Sequence, residues 1–401
     1  MNKIKMIVKN NLRYVGPRAI FDPNFIPPEL LFRKKEEHSL FSILNDSISD
    51  DFSINILYQG IQGIGKKAII QKVLKDLLIQ NRNYSNVKIV NIECREKTLH
   101  ELIIYLLAEI KKLLRLDLKI ETIINLGVSR LWSIFKLACK KFNGPLFLLF
   151  NNIENLKPGI FNKFISLSKE SNISLISTVN KVLRASTLEL LSDFDIKKKP
   201  KIFSYKELHS ILQHRASLTF PHEIDKELID FMTDLTCEHY APVPGKGIEL
   251  FRDIYPVLKD NRTIEQSEML EICHTQFDTF RISDDFSMLT YFSEEDLLTT
   301  LFLDNLSNYF LKNSKYYIKM KNLKDIYEIS CENLEYEKNL EEFNEIVNKI
   351  NNLGILNVSR KNNNLSKKSL YNQDVLKCDL FFMVINPYQL KSIVDVLFGK
   401  L

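Results

Sequence analysis

The chain has 401 residues, of which 45% are hydrophobic and 26% are charged, and its formal net charge is +5. This length and composition predict two or three globular domains with ample core. No apolar run reaches the ~20 residues that a spanning helix needs, and the N-terminus lacks a signal-peptide core, so a cytoplasmic protein without a membrane partner is expected. Six cysteines without pairing or CxxC spacing indicate reduced thiols rather than disulfides or a metal site.

The N-terminal segment is first basic and then rich in proline. Residues 1–20 hold five lysines and arginines and no acid, which indicates a basic arm. Prolines keep the following residues extended, and Pro28 is predicted to open the next helix. The apolar residues Phe25, Ile26 and Pro27 suit a cradle for a purine base or a strap over the edge of a sheet, and the two roles are compatible.

A glycine-rich stretch is the most informative part of the sequence. Three of the 11 glycines fall within six positions, in Gly60-Ile61-Gln62-Gly63-Ile64-Gly65-Lys66-Lys67. The apolar run Ile54–Tyr58 precedes it as a predicted buried strand, and an amphipathic helix from Ala68 follows. Strand, G-x-x-x-x-G-K and helix together make a phosphate-binding loop, whose amides hold phosphate oxygens while Lys66 meets the outer phosphates. The stretch predicts a site for ATP or ADP.

One position of this loop departs from the pattern. The residue after the lysine is normally Ser or Thr, because its hydroxyl ligates magnesium, and here it is Lys67. An ammonium group cannot ligate a cation and competes with it for the phosphates. The sequence therefore does not predict a magnesium ion in the usual place.

Strands and helices alternate after the loop. We predict strands at Val87–Cys94, Leu146–Phe150, Ile173–Ser177 and Lys201–Phe203, and helices at Thr98–Leu116 and Ser129–Lys140. The continuous apolar run Leu146–Phe150 is typical of a central parallel strand. Repeated strand, crossover helix and strand predict an α/β nucleotide-binding domain.

The end of the strand Leu146–Phe150 is where an ATPase places its acids. An Asp that positions magnesium and water, followed by a Glu that activates the water, is expected there, but the sequence has Asn151 and Asn152. Neither amide can act as a base. Glu154 lies two or three residues too late to be their usual substitute. Asn180, after the next strand, suits a γ-phosphate or a lytic water, or else caps the strand end.

From residue 204 the pattern is helical. Four amphipathic segments predict a lid, at Tyr205–Phe220, Lys226–Tyr240, Gly247–Lys259 and Ile264–Phe277. Three further helices are predicted, at Glu294–Phe310, Lys321–Cys331 and Leu340–Leu353. Residues 354–371 are predicted to form a two-stranded hairpin with a basic, Asn-rich tip. Three helices closed by a hairpin predict a winged helix.

With these elements in place, the chain resembles the archaeal and eukaryotic replication initiators of the origin recognition complex type. That family joins an AAA+ module to a C-terminal winged helix. The resemblance covers almost the whole chain and rests on the order and spacing of several motifs: Phe25–Arg33, the loop Gly60–Lys66, Asn91–Arg95, Asn180 as first sensor, Phe203–Arg215 at the start of the lid, and Asn339–Leu356 in the last helix and wing.

The resemblance implies an α/β fold followed by an all-α part, divided into three domains. The first is an AAA+ nucleotide-binding α/β domain with the basic arm, residues 1–203. The second is a four-helix lid, residues 204–283. The third is a winged-helix DNA-binding domain, residues 284–401.

Several functional positions of the family are changed in this chain. Lys67, Asn151 and Asn152 replace the magnesium ligand, the Walker B acid and the catalytic glutamate, so no catalytic residue remains. The second sensor's arginine is missing from Gly245–Ile248, and Arg252, one helical turn further on, is a partial substitute. The absence of several residues that act together in hydrolysis predicts that the protein does not hydrolyse ATP. Whether it binds a nucleotide is left open by the sequence.

The resemblance also implies binding of double-stranded DNA through the winged helix. In the wing, Arg360, Lys361, Lys367 and Lys368 suit contacts with phosphates. The preceding helix has three glutamates against Lys349, so it either reads bases or is a solvated structural helix.

The preferred interpretation is a non-enzymatic, DNA-binding initiator-type protein associated with the nucleoid. Such a protein marks an origin or helps other initiator or helicase-loading proteins to assemble. One alternative is a working ATPase switch in which unusual residues take over. Another is a protein-interaction module, or a regulator of a mobile element, that retains the fold.

Overall fold

The computed structural model describes residues 14–80, 87–114, 119–142, 144–180, 193–277, 297–313, 315–361 and 375–399. The chain divides into two compact units. One runs from Ile26 to Ile202, and the other joins the segment up to Phe25 to the chain from Phe203 onward. Among the described residues, none of the helices combines the length and apolarity that crossing a bilayer requires.

The unit from Ile26 to Ile202 is a parallel sheet covered by helices. Its strands are β1 (Asn55–Gln59), β2 (Lys88–Glu93), β3 (Leu146–Asn151), β4 (Ile173–Val179) and β5 (Ile196–Lys198). Its helices are α2 (Lys34–Ser49), α3 (Lys66–Gln80), α4 (Leu99–Leu114), α5 (Ile120–Ile123), α6 (Val128–Lys140) and α7 (Pro158–Glu170). The short helix α1 (Arg18–Phe21) precedes them in the chain and belongs to the other unit.

The strand order of this sheet positions the phosphate-binding loop. The order is β2-β3-β4-β1-β5, and every neighbouring pair is parallel. Separate apolar cores lie on the two faces, one packed by α4, α6 and α7 and the other by α2 and α3. Because parallel strands end at the same edge, the residues that follow β1, β4 and β3 meet there.

Two predictions for this unit are wrong. The fifth strand is Ile196–Lys198, opposite Ile56–Tyr58, rather than Lys201–Phe203. Pro200 lies between the two stretches, and it has no N–H to extend the ladder. The second error is the start of α2, which begins at Lys34 instead of Pro28 because Phe32 adopts φ +60°, a conformation that no helix contains.

The second unit is mostly helical. Its lid helices are α8 (Tyr205–Thr219), α9 (Lys226–His239), α10 (Pro244–Lys259) and α11 (Gln266–Phe277). A capping box starts α8, where Ser204 and Glu207 satisfy each other's backbone amides. The N-terminal segment packs on this lid, since the amides of Val15 and Gly16 donate to the carbonyl of Leu218 at 2.9 and 3.0 Å.

The C-terminal part of this unit has the elements expected of a winged helix. Its helices are α12 (Leu297–Asn313), α13 (Met320–Leu334), α14 (Leu340–Asn352) and α15 (Pro387–Leu397), and its strands are β6 (Ile318–Lys319), β7 (Leu356–Val358) and β8 (Leu380–Met383). The strands form an antiparallel sheet in the order β6-β8-β7. These elements enclose one apolar core.

The first strand of the predicted hairpin is present, and the rest of the hairpin, residues 362–371, lies outside the described residues. Among the described residues, β7 pairs with β8, which lies beyond the predicted hairpin, with Leu356 opposite Met383. The sequence did not reveal β8 because its run Leu380–Met383 is short and continuously apolar, without alternation. The predicted basic tip, including Lys367 and Lys368, falls outside the described residues.

Candidate functional site

The glycine-rich loop joins β1 to α3, and its glycines set its shape. Gly63 and Gly65 have φ of +84° and +98°, in the left-handed region that a β-carbon disfavours. Nothing lies within 4 Å of a β-carbon built on Gly65, so the backbone angle rather than crowding requires glycine there. The helix α3 begins at Lys66, and the amides of its first turn are directed at the loop. The loop therefore fits the phosphates of a nucleotide.

The side chain of Lys66 is folded back onto the loop. Its Nζ donates to the carbonyls of Gly60 and Ile61 at 2.7 and 3.0 Å and to Oδ1 of Asn180 at 2.8 Å. Burial lowers the pKa of Lys66 to about 8, although the negative charge of Glu154 acts in the opposite direction. The pairing of β1 with β4 thus brings Asn180 to the lysine, and its role as a first sensor stays a prediction.

Side-chain amides occupy the end of β3. Nδ2 of Asn151 donates to Oδ1 of Asn91 at 2.6 Å. Asn152 has φ +60°, and its Nδ2 donates to Oε1 of Glu93 at 2.7 Å while its Oδ1 accepts from Nδ2 of Asn180. A hydrogen-bonded chain therefore runs from Lys66 through Asn180 and Asn152 to Glu93, and Asn151 is not part of it. At positions 151 and 152 the edge of the sheet presents amides where a hydrolytic site needs carboxylates.

Glu154 is also brought to this edge. It lies on a 3₁₀ turn, Ile153–Asn155, directly after β3, and its Oε1 accepts from the backbone amide of Asn180 at 3.3 Å. Its Oε2 is shielded from solvent and has no hydrogen-bond partner within the described ranges. Its position in the sequence indicated a residue too late for the site, but the tight turn returns it towards Asn180.

The residues around the loop do not fit magnesium as an ATPase holds it. Lys67 is half-buried on the first turn of α3, where a hydroxyl would ligate the ion. Asn151 and Asn152 carry no charge to hold it. In the parts of the chain that the structure describes, no group of three His, Cys, Asp or Glu is placed to bind a metal. The three changed positions therefore lack the hydroxyl and the acids with which an ATPase holds magnesium.

Arg33 connects the N-terminal motif to the phosphate-binding loop. It is 4% exposed, and its Nη2 donates to the carbonyls of Ile64 and Lys201 at 3.2 and 2.9 Å. Its Nη1 pairs with Glu36 at 3.0 Å. A buried arginine that bonds the loop backbone fixes the loop's position. The sequence placed Arg33 in a motif, but only the structure shows what it holds.

The residues predicted to cradle a base divide between the two units. Phe25 belongs with the lid, where the guanidinium of Arg215 lies 5.2 Å from its ring centre. Ile26 and Pro27 belong to the α/β unit. Their role as a cradle remains a prediction.

Arg252, considered as a substitute for the second sensor, binds the N-terminal segment. Its Nε donates to the carbonyl of Ile20 at 2.6 Å, and Arg215 donates to the carbonyl of Ala19 at 2.8 Å. Burial lowers the pKa of Arg215 to about 10, with a further contribution from the charge of Arg252. Both arginines thus tie the segment before residue 26 to the lid helices.

The two described wing cations are engaged in ion pairs. Arg360 pairs with Glu238 at 3.1 Å, and Lys361 pairs with Asp230 at 2.6 Å. Both acids lie on the lid helix α9. Sequence reasoning missed these partners, although Asp230, Asp234 and Glu238 recur every four residues and so share one helical face. The helix before the wing is acidic on its surface, where Glu341 and Glu345 are exposed.

No protein-family model matches the sequence, and no curated protein matches it at a significant level. Solved structures do match. The chain is similar to Cdc6p from Pyrobaculum aerophilum, with a TM-score of 0.72 and 16% identity over 97% of this chain and 99% of that one. It is similar to the ORC1 protein of Aeropyrum pernix in complex with DNA, with a TM-score of 0.55 and 15% identity over 96% and 98%. The Aeropyrum pernix ORC2 protein in ADPNP-ADP complexes gives a TM-score of 0.51 and 14% identity over 96% and 98%.

A parallel sheet with a glycine-rich loop, followed by a helical lid and a further helical part, matches the AAA+ architecture of these structures. Over nearly its whole length the chain has the fold of the Cdc6 and ORC replication initiators. The sequence resemblance predicted this fold, and the comparison confirms it.

Proposed function

We propose that the protein is a DNA-binding initiator-type protein that holds a nucleotide without hydrolysing it. The observation that carries the second half of this proposal is the chain of amides at the end of β3. Asn151 and Asn152 cannot take a proton from an attacking water, and both are already bonded to neighbouring side chains. Because asparagines stand at both positions where acids are expected, hydrolysis has no base at its usual position.

Nucleotide binding in this proposal depends on cations of the chain. The loop amides and Lys66 face the phosphates, and Lys67 adds a second ammonium group at the start of α3. Positive charge on the protein then replaces that of magnesium. The solved ADPNP-ADP complexes of Aeropyrum pernix ORC2 support a nucleotide, either ATP or ADP, in a fold of this kind.

Steady-state ATP turnover tests the loss of hydrolysis. Loss of a general base alone costs about 10²–10⁴-fold in rate, so we expect turnover by the pure protein to be the same as that of a Lys66→Ala variant. Turnover that Lys66→Ala abolishes would contradict the proposal.

The alternative of a working ATPase has one observation in its favour, the unpartnered Oε2 of Glu154 beside Asn180. A Glu154→Gln variant separates the two. If Glu154 serves as the base, the substitution removes turnover while nucleotide binding persists. Under the preferred proposal it changes no turnover, because there is none.

DNA binding in this proposal is confined to the wing. Residues 285–401 contain 14 lysines and arginines against 16 acids, so the domain as a whole does not attract phosphates. Four of these basic residues lie between 360 and 368, whereas the helix before the wing, α14, is acidic on its surface. The solved complex of Aeropyrum pernix ORC1 with DNA supports DNA as the partner.

A salt titration of duplex binding tests the wing. In a Lys367→Ala/Lys368→Ala variant we expect weaker binding to matched and scrambled sequences alike. Removing one cation from a DNA phosphate lowers the slope of log K against log salt by about 0.9. An unchanged slope and affinity would favour the protein-interaction module instead.

A further inference from the structure

The lid helix α9 presents an acidic face to the base of the wing. Asp230, Asp234 and Glu238 stand four residues apart on this helix, so their carboxylates line one side of it. Residues 359–361, at the end of β7, lie against that side. The two segments are more than 120 positions apart in the chain and belong to the same compact unit.

Each carboxylate meets a different group of the wing base. Nζ of Lys361 lies 2.6 Å from Oδ2 of Asp230, and Nη2 of Arg360 lies 3.1 Å from Oε2 of Glu238. Between them, Asp234 accepts from the backbone amide of Arg360 at 2.9 Å and from the hydroxyl of Ser359 at 2.7 Å. The acidic face thus takes up both described cations of the wing.

The burial of these groups distinguishes the contact from ordinary surface ion pairs. Asp230 and Asp234 are 2% and 1% exposed, and charges shielded from water interact more strongly than exposed ones. Lys361 keeps 37% of its side chain exposed. The acids are therefore fixed within the fold, while the lysine lies at the surface, where it can reach an external anion.

We propose that the acidic face of α9 is an autoinhibitory contact, which occupies Arg360 and Lys361 in the place of DNA phosphates. The inference rests on the proposed DNA binding by the wing. A cation bonded to a buried carboxylate is not available to release counterions from a duplex. In this state only the remaining wing residues contact DNA, and opening the contact adds two cations to the DNA-binding surface.

Neutralising the acids tests the proposal in the full-length protein. Binding to a fluorescein-labelled duplex of mixed sequence is followed by anisotropy over a range of salt for Asp230→Asn, Glu238→Gln and the double variant. We expect tighter binding, and a slope of log K against log salt that steepens by about 0.9 for each released cation. Glu238→Gln is the safer variant, because its partially exposed side chain supports the fold less than Asp230 does.

Two controls make the outcome specific. Asp260→Asn removes the same charge from the same unit, at an exposed pair with Arg262, and we expect no change in slope. Arg360→Gln/Lys361→Gln should leave the wild-type slope unchanged but cancel the gain in the double variant. Circular dichroism confirms that each variant is folded.

The contrary outcomes are distinct. If the neutralised variants bind no better than Asp260→Asn, the contact is not inhibitory, and the proposed wing function stands if Lys367→Ala/Lys368→Ala still weakens binding. If Arg360→Gln/Lys361→Gln weakens the wild type as much as it weakens the double variant, the cations were already on DNA and the inference fails. If no protein in the series binds duplex, both proposals fail.

Discussion

The end of β3, beside the glycine-rich loop, and the acidic face of α9 differ in whether they contain carboxylates. At the end of β3, two positions expected to be acidic are asparagines, of which Asn151 bonds Asn91 and Asn152 bonds Asn180. On α9, two aspartates are buried and matched to donors across the unit. Burying a charge is costly unless it is paired, so the paired aspartates indicate a structural contact. The asparagines offer no base, and the proposed absence of hydrolysis rests on them. Under the proposed function, buried acids in this chain hold the wing base and no acid turns over nucleotide.

The largest expected effect comes from removing the central acid of α9. Asp234→Ala leaves the hydroxyls of Tyr317 and Ser359 and the amide of Arg360 without their buried acceptor. We expect a loss of about 3–5 kcal/mol in the free energy of unfolding of the C-terminal unit. The urea dependence of hydrogen exchange in the full chain measures this loss in the free energy of unfolding. Asp260→Ala, at an exposed pair, should change it by less than about 0.5 kcal/mol, and an equal loss there would void the comparison.

The pH dependence of stability should differ between Asp234 and Asp230, which lie on the same face of α9. Burial raises the pKa of Asp234 to about 6, although its hydrogen bonds lower it. Its folded state therefore holds the proton more tightly than the unfolded chain does, so its contribution to stability is complete below about pH 4 and is lost as pH rises through about 6. The full effect is about 3 kcal/mol. The difference in unfolding free energy between wild type and Asp234→Asn, measured across this window, checks the expectation.

Asp230 should behave in the opposite way. Burial alone would raise its pKa, but the approach of His209 and Lys361 holds it below the usual value. Its contribution to stability is present above the unfolded pKa and is lost as pH falls through the folded one. An Asp230→Asn variant should therefore lose its destabilising effect in acid, where wild-type Asp230 is also neutral. A defect that persists unchanged at low pH would show that packing, not charge, governs this position.

Proton uptake on nucleotide binding tests the other region of this comparison, the glycine-rich loop with Lys66. With its pKa near 8, Lys66 is about half protonated at pH 8, and a bound phosphate favours the charged form. We expect ADP binding at that pH to take up about half a proton, which calorimetry in buffers of different ionisation enthalpy detects. Uptake should vanish in Lys66→Met, and equal uptake in that variant would assign the proton elsewhere.

The smallest expected effect is that of magnesium. Because Lys67 offers no ligand for the ion and Asn151 no negative charge, magnesium should change the dissociation constant of ATP by less than about threefold, or roughly 0.6 kcal/mol. Calorimetry with magnesium and with a chelator measures the ratio. Lys67→Thr/Asn151→Asp should increase the dependence, and a strong dependence in the wild type would show that another residue, with Glu154 the first to examine, holds the metal.

Local pattern in the sequence determined the glycine-rich loop, four of the five parallel strands and most helices. It also predicted that Lys67, Asn151 and Asn152 do not support the usual reaction. These features follow from short-range physics: alternation, helical period, turn residues and the chemistry of a side chain are visible within a few positions. Even so, the fifth strand was misplaced, because Ile196–Lys198 is too short to show a pattern and is fixed by pairing with Ile56–Tyr58.

Tertiary structure alone decided how distant residues meet. It returned Glu154 to Asn180, bonded Arg33 to the loop carbonyl of Ile64, and paired Lys361 with Asp230. Sequence composition identified the lysines and arginines of the wing as basic, but it could not show whether a given cation faces solvent or an acid on a helix more than 100 positions away. That outcome depends on which surfaces pack together, and packing is set by the whole fold rather than by any one segment.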